Sequence, residues 1–333
     1  MLALPACWMS IHASAQAPPV NAACVTQSAM TGNDRQRIAD TALAIANAIK
    51  ANDSARVQSM TISSLAANFG GTAYVVQSTS AKISSDTLRV TQIYRLDASS
   101  RKPGDTTPAD FSCALSGSTD EVDFSISGLP PGVYVFAMVE ASGDRPFLLA
   151  MLLQQEGSGW KMAGFYPHPR TAAGHDGLWY WTTARADAKA GHKWLAWVLY
   201  GEADQLLRPA NFVGTTHLDM LRAERHTNAP GELSEGVSDQ TPLVIKAKDG
   251  SEFHLTDLSS AATDDGRGVD LVIHYRTEAA ADPAAARARN NAAAKAVLDA
   301  HPELRNVFTG VSVLAEIPGQ APFATEQPVS EIP

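Results

Sequence analysis

The chain has 333 residues, 45% of them hydrophobic and 18% charged, with a formal net charge of −9. That apolar content excludes disorder throughout, and the acidic balance argues against a nucleic-acid binder, with no run of Lys and Arg forming a local exception. Nothing after the first twenty residues approaches the roughly 18 apolar residues of a membrane helix, and the length suits more than one domain.

In chain order, residues 1–33 contain no charged side chain. An apolar stretch from Leu2 to Ile11 runs into Ala13, Ser14 and Ala15, small residues of the kind a signal peptidase accepts. This predicts a signal peptide over 1–15 that lacks a basic start, and a periplasmic or secreted mature chain beginning with an arm over 16–32. The competing reading is an Ala-rich tail on a cytoplasmic protein. After cleavage two cysteines remain, Cys24 and Cys113. In an oxidising compartment they are a candidate disulfide clipping the arm to the first sheet; two buried thiols are the alternative. The count excludes a metal site built on cysteine.

Residues 33–50 carry Ile38, Leu43, Ile45, Ala46 and Ile49 at helical spacing, with Asn33 or Asp34 as the cap. A second helix is predicted over 54–67, ending at Gly70-Gly71. The period then changes. Alternating or apolar runs at Ala73–Gln77, Leu88–Leu96, Val122–Ile126, Val133–Ala141, Phe147–Gln155 and Lys161–Tyr166 are separated by Gly, Ser, Pro and Asp turns. Such a series predicts a largely antiparallel sheet, and an α+β domain over 33–167. The helices-then-sheet order and the strand Gly159-Trp160-Lys161-Met162-Ala163-Gly164-Phe165-Tyr166 resemble secreted nuclear-transport-factor-2-like domains. The resemblance implies a cone-shaped fold with a pocket between sheet and helix, and no particular activity.

From 174 to 227 the period is helical. Gly191 divides predicted helices at 175–189 and 192–206, and a third follows over 211–225. Within 177–209, Gly191, Ala196, Tyr200, Ala203 and Pro209 resemble one tetratricopeptide repeat, in which small residues let paired helices approach. One repeat is too few for a free-standing array. The segment is therefore expected to act as a joint, its inward tryptophans covered by both flanking domains. Residues 228–240, with Pro230, Gly231 and Gly236, predict a linker. The C-terminal α+β domain, 241–326, matches no known family by its motifs. It opens with a hairpin (Leu243–Ala247, an Asp249-Gly250 turn, Phe253–Leu258), followed by a strand at Val269–Tyr275, a helix from Pro283 to about Ala300 and a strand at Val307–Ile317. Residues 327–333 form a tail. The basic and amide residues of the helix, Arg287, Arg289, Asn290, Asn291 and Lys295, read as an ordinary solvated face.

The densest polar constellation is His168, Arg170, His175 and Asp176, among Pro167, Pro169 and Gly174. If these side chains converge they can bind a divalent cation or poise a general base. The alternatives are interdomain hydrogen bonding and a plain surface loop. His217, Asp219 and Arg222 form a weaker group, in which Asp219 and Arg222 pair at three apart. Four of the six tryptophans, Trp179, Trp181, Trp194 and Trp197, lie close together with Tyr180. Trp194, Trp197, Val198 and Gly201 form an inward stripe, whereas Trp179, Tyr180 and Trp181 cannot share one face, so one ring is half exposed at a seam or partner surface. No nucleophile elbow, phosphate loop or zinc signature is present. No catalytic residue, metal or cofactor is assigned. The expectation is an exported, non-enzymatic binding or scaffold protein, its partner another exported protein or a cell-envelope component, with no transmembrane span in the mature chain. The alternative is a small-molecule-binding or hydrolytic enzyme using a pocket in the first sheet domain.

Overall fold

A computed structural model describes residues 23–83, 87–115 and 117–333. The fold is α+β. The signal peptide expected over 1–15 and the first positions of the arm lie outside the described residues. Strand β1 (Ala23–Thr26) leads to helices α1 (Gly32–Lys50), α2 (Ser54–Ser59), α3 (Ser63–Ala66) and α4 (Gly70–Ile83). Strands β2 (Thr87–Asp97), β3 (Ala109–Ala114), β4 (Glu121–Ile126), β5 (Val133–Ser142), β6 (Phe147–Glu156) and β7 (Gly159–Pro169) follow. β1-β2-β5-β6-β7 form one antiparallel sheet.

Three local readings are corrected. The cap of α1 is Thr31, whose hydroxyl accepts the Asp34 amide at 3.1 Å and donates to the Asp34 carboxylate at 2.8 Å, so Asp34 sits in the first turn. The helix expected over 54–67 is broken, because the backbone at 60–62 hydrogen-bonds β7: the Ile62 amide donates to Met162 O at 3.0 Å and the Met162 amide to Met60 O at 2.9 Å. Ala73–Gln77 is not a strand but the middle of α4, whose Val76, Thr79, Ser80 and Ile83 are buried at helical spacing.

The helices cover one face of the large sheet, packing Ile38, Ile45 and Ile49 against Val135, Val139, Leu149 and Met151. The other face packs Tyr94, Phe136 and Leu152 against Phe111 and Phe124 of a smaller sheet. This makes three layers. The smaller sheet is ordered β10-β4-β3, and β10 (Val213–Thr215) comes from far along the chain. Cys24 of β1 and Cys113 of β3 form a disulfide with Cα atoms 5.3 Å apart, tying the edge of the large sheet to the small one.

After β7 comes a short hairpin, β8 (Thr171–Ala172) and β9 (His175–Asp176), closed through Ala173 and Gly174, both at positive φ. Helices α5 (Gly177–Ala190) and α6 (Lys193–Leu207) are antiparallel, and Gly191, at φ 92°, ends the first. A Cβ on Gly177 would lie 2.5 Å from Leu207, so a glycine is needed for this approach. The third helix, α7 (Thr216–Thr227), begins after β10 and not at 211. Its Glu224 accepts two hydrogen bonds from Arg185, at 2.6 and 2.7 Å, and one from the Trp181 indole at 2.8 Å.

The C-terminal sheet runs β11 (Leu243–Lys246), β12 (Glu252–Ala262), β13 (Val269–Arg276), β14 (Gly310–Glu316), β15 (Phe323–Pro328), with α8 (Pro283–Ala300) between the parallel strands β13 and β14. Leu255, Leu258, Leu271, Ile273, Tyr275 and Val313 share one core with residues of α5, α6, α7 and α8. Trp194 lies in that core and stacks on His301 at 3.6 Å. The 228–240 segment also enters it through Leu233, fully buried in a short 3-10 turn. Asn290 is not on a solvated face. It is fully buried, accepts from the Tyr275 hydroxyl at 2.8 Å and donates to Val313 O and Phe323 O, each at 3.2 Å.

Candidate functional site

A cleft of about 280 Å³ opens where three parts of the chain meet. One wall belongs to the N-terminal layers: Lys82 at the end of α4, Arg145 in the β5–β6 turn, Phe147 of β6 and His168 near the end of β7. A second wall is α6, which presents buried Glu202 and, one turn on, exposed Gln205. The third is the β12–β13 hairpin from Ala261 to Gly266.

Specific bonds hold these walls together. The Arg145 Nη1 donates to Asp264 O at 2.9 Å, joining the first sheet to the hairpin. Gly266, at φ 69°, lies under the Arg145 stem, where a Cβ would come within 2.6 Å of Cδ. On the α6 side, Gln205 Nε2 donates to Ser260 O at 3.3 Å and the Ser260 hydroxyl donates to Glu202 Oε2 at 2.6 Å.

Glu202 is the unusual member, with only 3% of its surface exposed. Burial pushes its carboxyl above the ordinary range, against the opposing pull of the Ser260 hydrogen bond. Among the described residues Glu202 forms no ion pair and accepts only from Ser260, and Oε1 is not one of the side-chain atoms buried without a partner, so it opens to the cleft. Burial, and secondarily the Glu202 carboxyl, also push the neighbouring Tyr180 phenol up; its hydroxyl donates to Ala172 O at 2.9 Å.

His168 moves the opposite way, down to about 4, chiefly through desolvation and then through the Arg170 charge. Its imidazole is therefore neutral at physiological pH. The backbone at Tyr166 opposes this shift, and Nε2 is buried without a partner. Lys82 and Arg145 are exposed at the cleft, and neither pairs with a carboxylate among the described residues. Lys82 instead lies 5.7 Å from the Phe147 ring centre.

Of the four polar residues singled out in sequence, only His168 lines this cleft. Arg170 lies close enough to act on its charge, and its amide donates to Pro146 O at 2.8 Å. His175 stacks on Trp179 at 3.7 Å, and Asp176 caps α5 by accepting the Trp179 amide at 2.8 Å. Among the described residues no group of three or more His, Cys, Asp or Glu could hold a metal ion. Lys82, Arg145, Glu202 and Gln205 escaped sequence reasoning. Glu202 alone carried a signal, an acidic residue two positions from Tyr200 and beside Ala203 inside an apolar helix.

The tryptophans divide. Trp181 and Tyr180 are buried, Trp194 is 9% exposed and Trp179 is 40% exposed beside Leu178. Trp197 is half-buried under the Arg225 guanidinium, 3.8 Å above its ring, and Arg225 Nε donates to Trp197 O at 3.1 Å. Gly201 provides the room, since a Cβ there would sit 3.3 Å from that guanidinium. Desolvation lowers Arg225 to about 10. Asp219 and Arg222 pair at 3.5 Å, and Arg222 also reaches Asp204 at 3.0 Å. Among the described residues no helix is long and apolar enough to cross a membrane. Comparisons with protein-family models, curated proteins and solved structures find no match to this chain.

Proposed function

We propose that this is an exported, non-enzymatic binding or scaffold protein whose ligand sits in the cleft between the N-terminal layers, α6 and the β12–β13 hairpin. The observation that carries the reading is Glu202: a carboxyl 3% exposed, lining a cleft, with one oxygen bonded to Ser260 and the other open to the cleft. Burial disfavours the ionised form of this carboxyl, and a ligand cation or donor placed at the cleft would offset that cost. Export is supported by the Cys24–Cys113 disulfide and the uncharged N-terminal stretch. The helices-then-sheet order and the α5–α6 pair are the features behind the nuclear-transport-factor-2-like and tetratricopeptide-like readings, which we retain as proposals.

A thermal-shift panel of neutral, cationic and anionic metabolites tests the cleft. The comparison variant is Gln205→Trp, an exposed position whose larger ring fills the space. A compound that raises the parent's melting temperature and not the variant's supports the reading. A panel with no hit, or a hit that Gln205→Trp leaves intact, overturns it.

One observation favours the hydrolytic alternative. His168 and Glu202 line the same cleft with protonation ranges displaced toward each other and past, the carboxyl up and the imidazole down. Turnover of chromogenic ester, phosphoester or glycoside substrates, lost in Glu202→Gln, would establish an enzyme in place of a binding protein.

A further inference from the structure

The same cleft displays both signs of charge within a small volume. Lys82 and Arg145 enter it from the N-terminal layers, Glu202 from α6 and Asp264 from the β12–β13 hairpin. The cations have no carboxylate partner among the described residues: Arg145 spends one nitrogen on a backbone carbonyl, and Lys82 rests over a phenyl ring. Glu202 has a hydroxyl partner and no counter-cation. Arg145 acts at a distance on the Asp265 carboxylate, but no group here is held in a close ion pair, which leaves these charges available to a ligand.

Resting on the reading of the cleft as a ligand site, we propose that its ligand is a small zwitterion of the amino-carboxylate class. Its carboxylate meets Lys82 and Arg145, and its ammonium meets Glu202, with Asp264 contributing at the rim. A guanidinium and an ammonium both favour a carboxylate through charge-assisted hydrogen bonds. A buried carboxylate becomes stable in its ionised form once a cation is placed beside it. Size agrees. About 280 Å³ lies just below the usual range for drug-sized pockets and suits a free amino acid, not a nucleotide or an oligosaccharide. Phe147 and Leu206 provide the apolar lining that the aliphatic part would contact.

Isothermal titration of the full chain tests the class with three amino carboxylates (L-alanine, L-glutamine and γ-aminobutyrate) and two half-ligands (lactate and propylamine). At least one amino carboxylate should bind about tenfold or more tightly than either half-ligand. Lys82→Ala and Glu202→Gln should each weaken it by about tenfold or more, whereas Arg145→Lys, which keeps the charge, should weaken it less than Arg145→Ala. Unchanged melting temperatures of the Lys82 and Arg145 variants separate lost binding from lost folding. Lactate or propylamine binding as tightly, or an affinity indifferent to these substitutions, overturns the zwitterion. If no amino carboxylate binds up to about 10 mM while a neutral compound occupies the cleft, the ligand class fails and the cleft reading stands. If nothing binds at all, both fail.

Discussion

The two sheets of this molecule solve the same problem differently. The N-terminal sheet is covered on both faces, by helices on one side and a second sheet on the other. Its interior strand β6 is buried without interruption from Phe147 to Leu153, and the sequence there is continuously apolar. The C-terminal sheet is covered on one face only. Leu271, Ile273 and Tyr275 point toward the helices while Val272 and His274 alternate with them. That outer side carries His274 paired with Glu316 at 2.9 Å, Thr256 donating to Glu316 at 2.8 Å and Ser259 donating to Asp257 at 2.6 Å. A two-sided sheet needs partners from elsewhere, and here they include a strand some ninety residues away and a disulfide. A one-sided sheet closes with the helices nearest it in sequence.

The sharpest way to break this comparison is to empty each sheet in turn. Phe136→Ala, fully buried between the N-terminal sheets, should cost about 3–5 kcal/mol, and Trp194→Ala in the C-terminal core a similar amount. Val272→Ala on the outer face should cost less than about 1 kcal/mol. Urea midpoints check all three, and a Trp194→Ala chain that unfolds like the parent would remove α6 from the shared core. Next in size is the cross-sheet tie. Cys24→Ala with Cys113→Ala should lose about 2–5 kcal/mol, and the intact parent should resist alkylation until reduced. Labelling of either thiol in the native, unreduced chain would contradict the disulfide.

The third test concerns pH at the seam between the two units. His168, held neutral down to about 4, contributes stability that is complete above its ordinary value of 6.5 and is lost as pH falls through 4. The loss should reach about 3 kcal/mol, and His168→Gln should flatten this acid limb. Glu202 has the opposite sign. Its raised carboxyl contributes stability that is complete below 4.5 and is lost as pH rises through its folded value. Glu202→Gln should therefore gain stability over the parent as pH rises, read from melts between pH 4 and 8. The smallest effect is expected at Arg289, whose Nε and Nη2 are buried without partners. Arg289→Met should change the melting temperature little, because the two unpartnered nitrogens are removed while the influence of the guanidinium on the Tyr275 hydroxyl is lost.

Much of the secondary structure was legible. Glu121–Ile126, Val133–Ser142 and Leu243–Lys246 declare themselves as strands, and α8 opens with Asp282 capping and Pro283 in the first turn. Two misses were readable in principle. Val76, Thr79, Ser80 and Ile83 keep helical spacing, although Tyr74, Val75 and Val76 locally favour strand. Ala109, Phe111 and Cys113 alternate with exposed residues, which is the mark of β3. The site was less legible. His168 stood out by type and Glu202 hardly at all, since an acidic residue in an apolar helix that also carries Asp204 looks like any surface position until its burial is known.

Local chemistry alone determined the α+β class, the α5–α6 pair divided at Gly191, the C-terminal hairpin turn and the cysteine pair available for a disulfide, because periodicity, capping and turn preferences act within a few residues. Tertiary structure decided the rest. Val213–Thr215 is too short to read as a strand, and only its pairing with Val122–Phe124 makes it one. Helix α6 became part of the C-terminal core because its apolar stripe found the sheet's one covered face. The cleft exists only where Lys82, Arg145, His168, Glu202 and Asp264 meet, five residues spread over more than half the chain, whose charges and burial have no meaning until the packing brings them to one place.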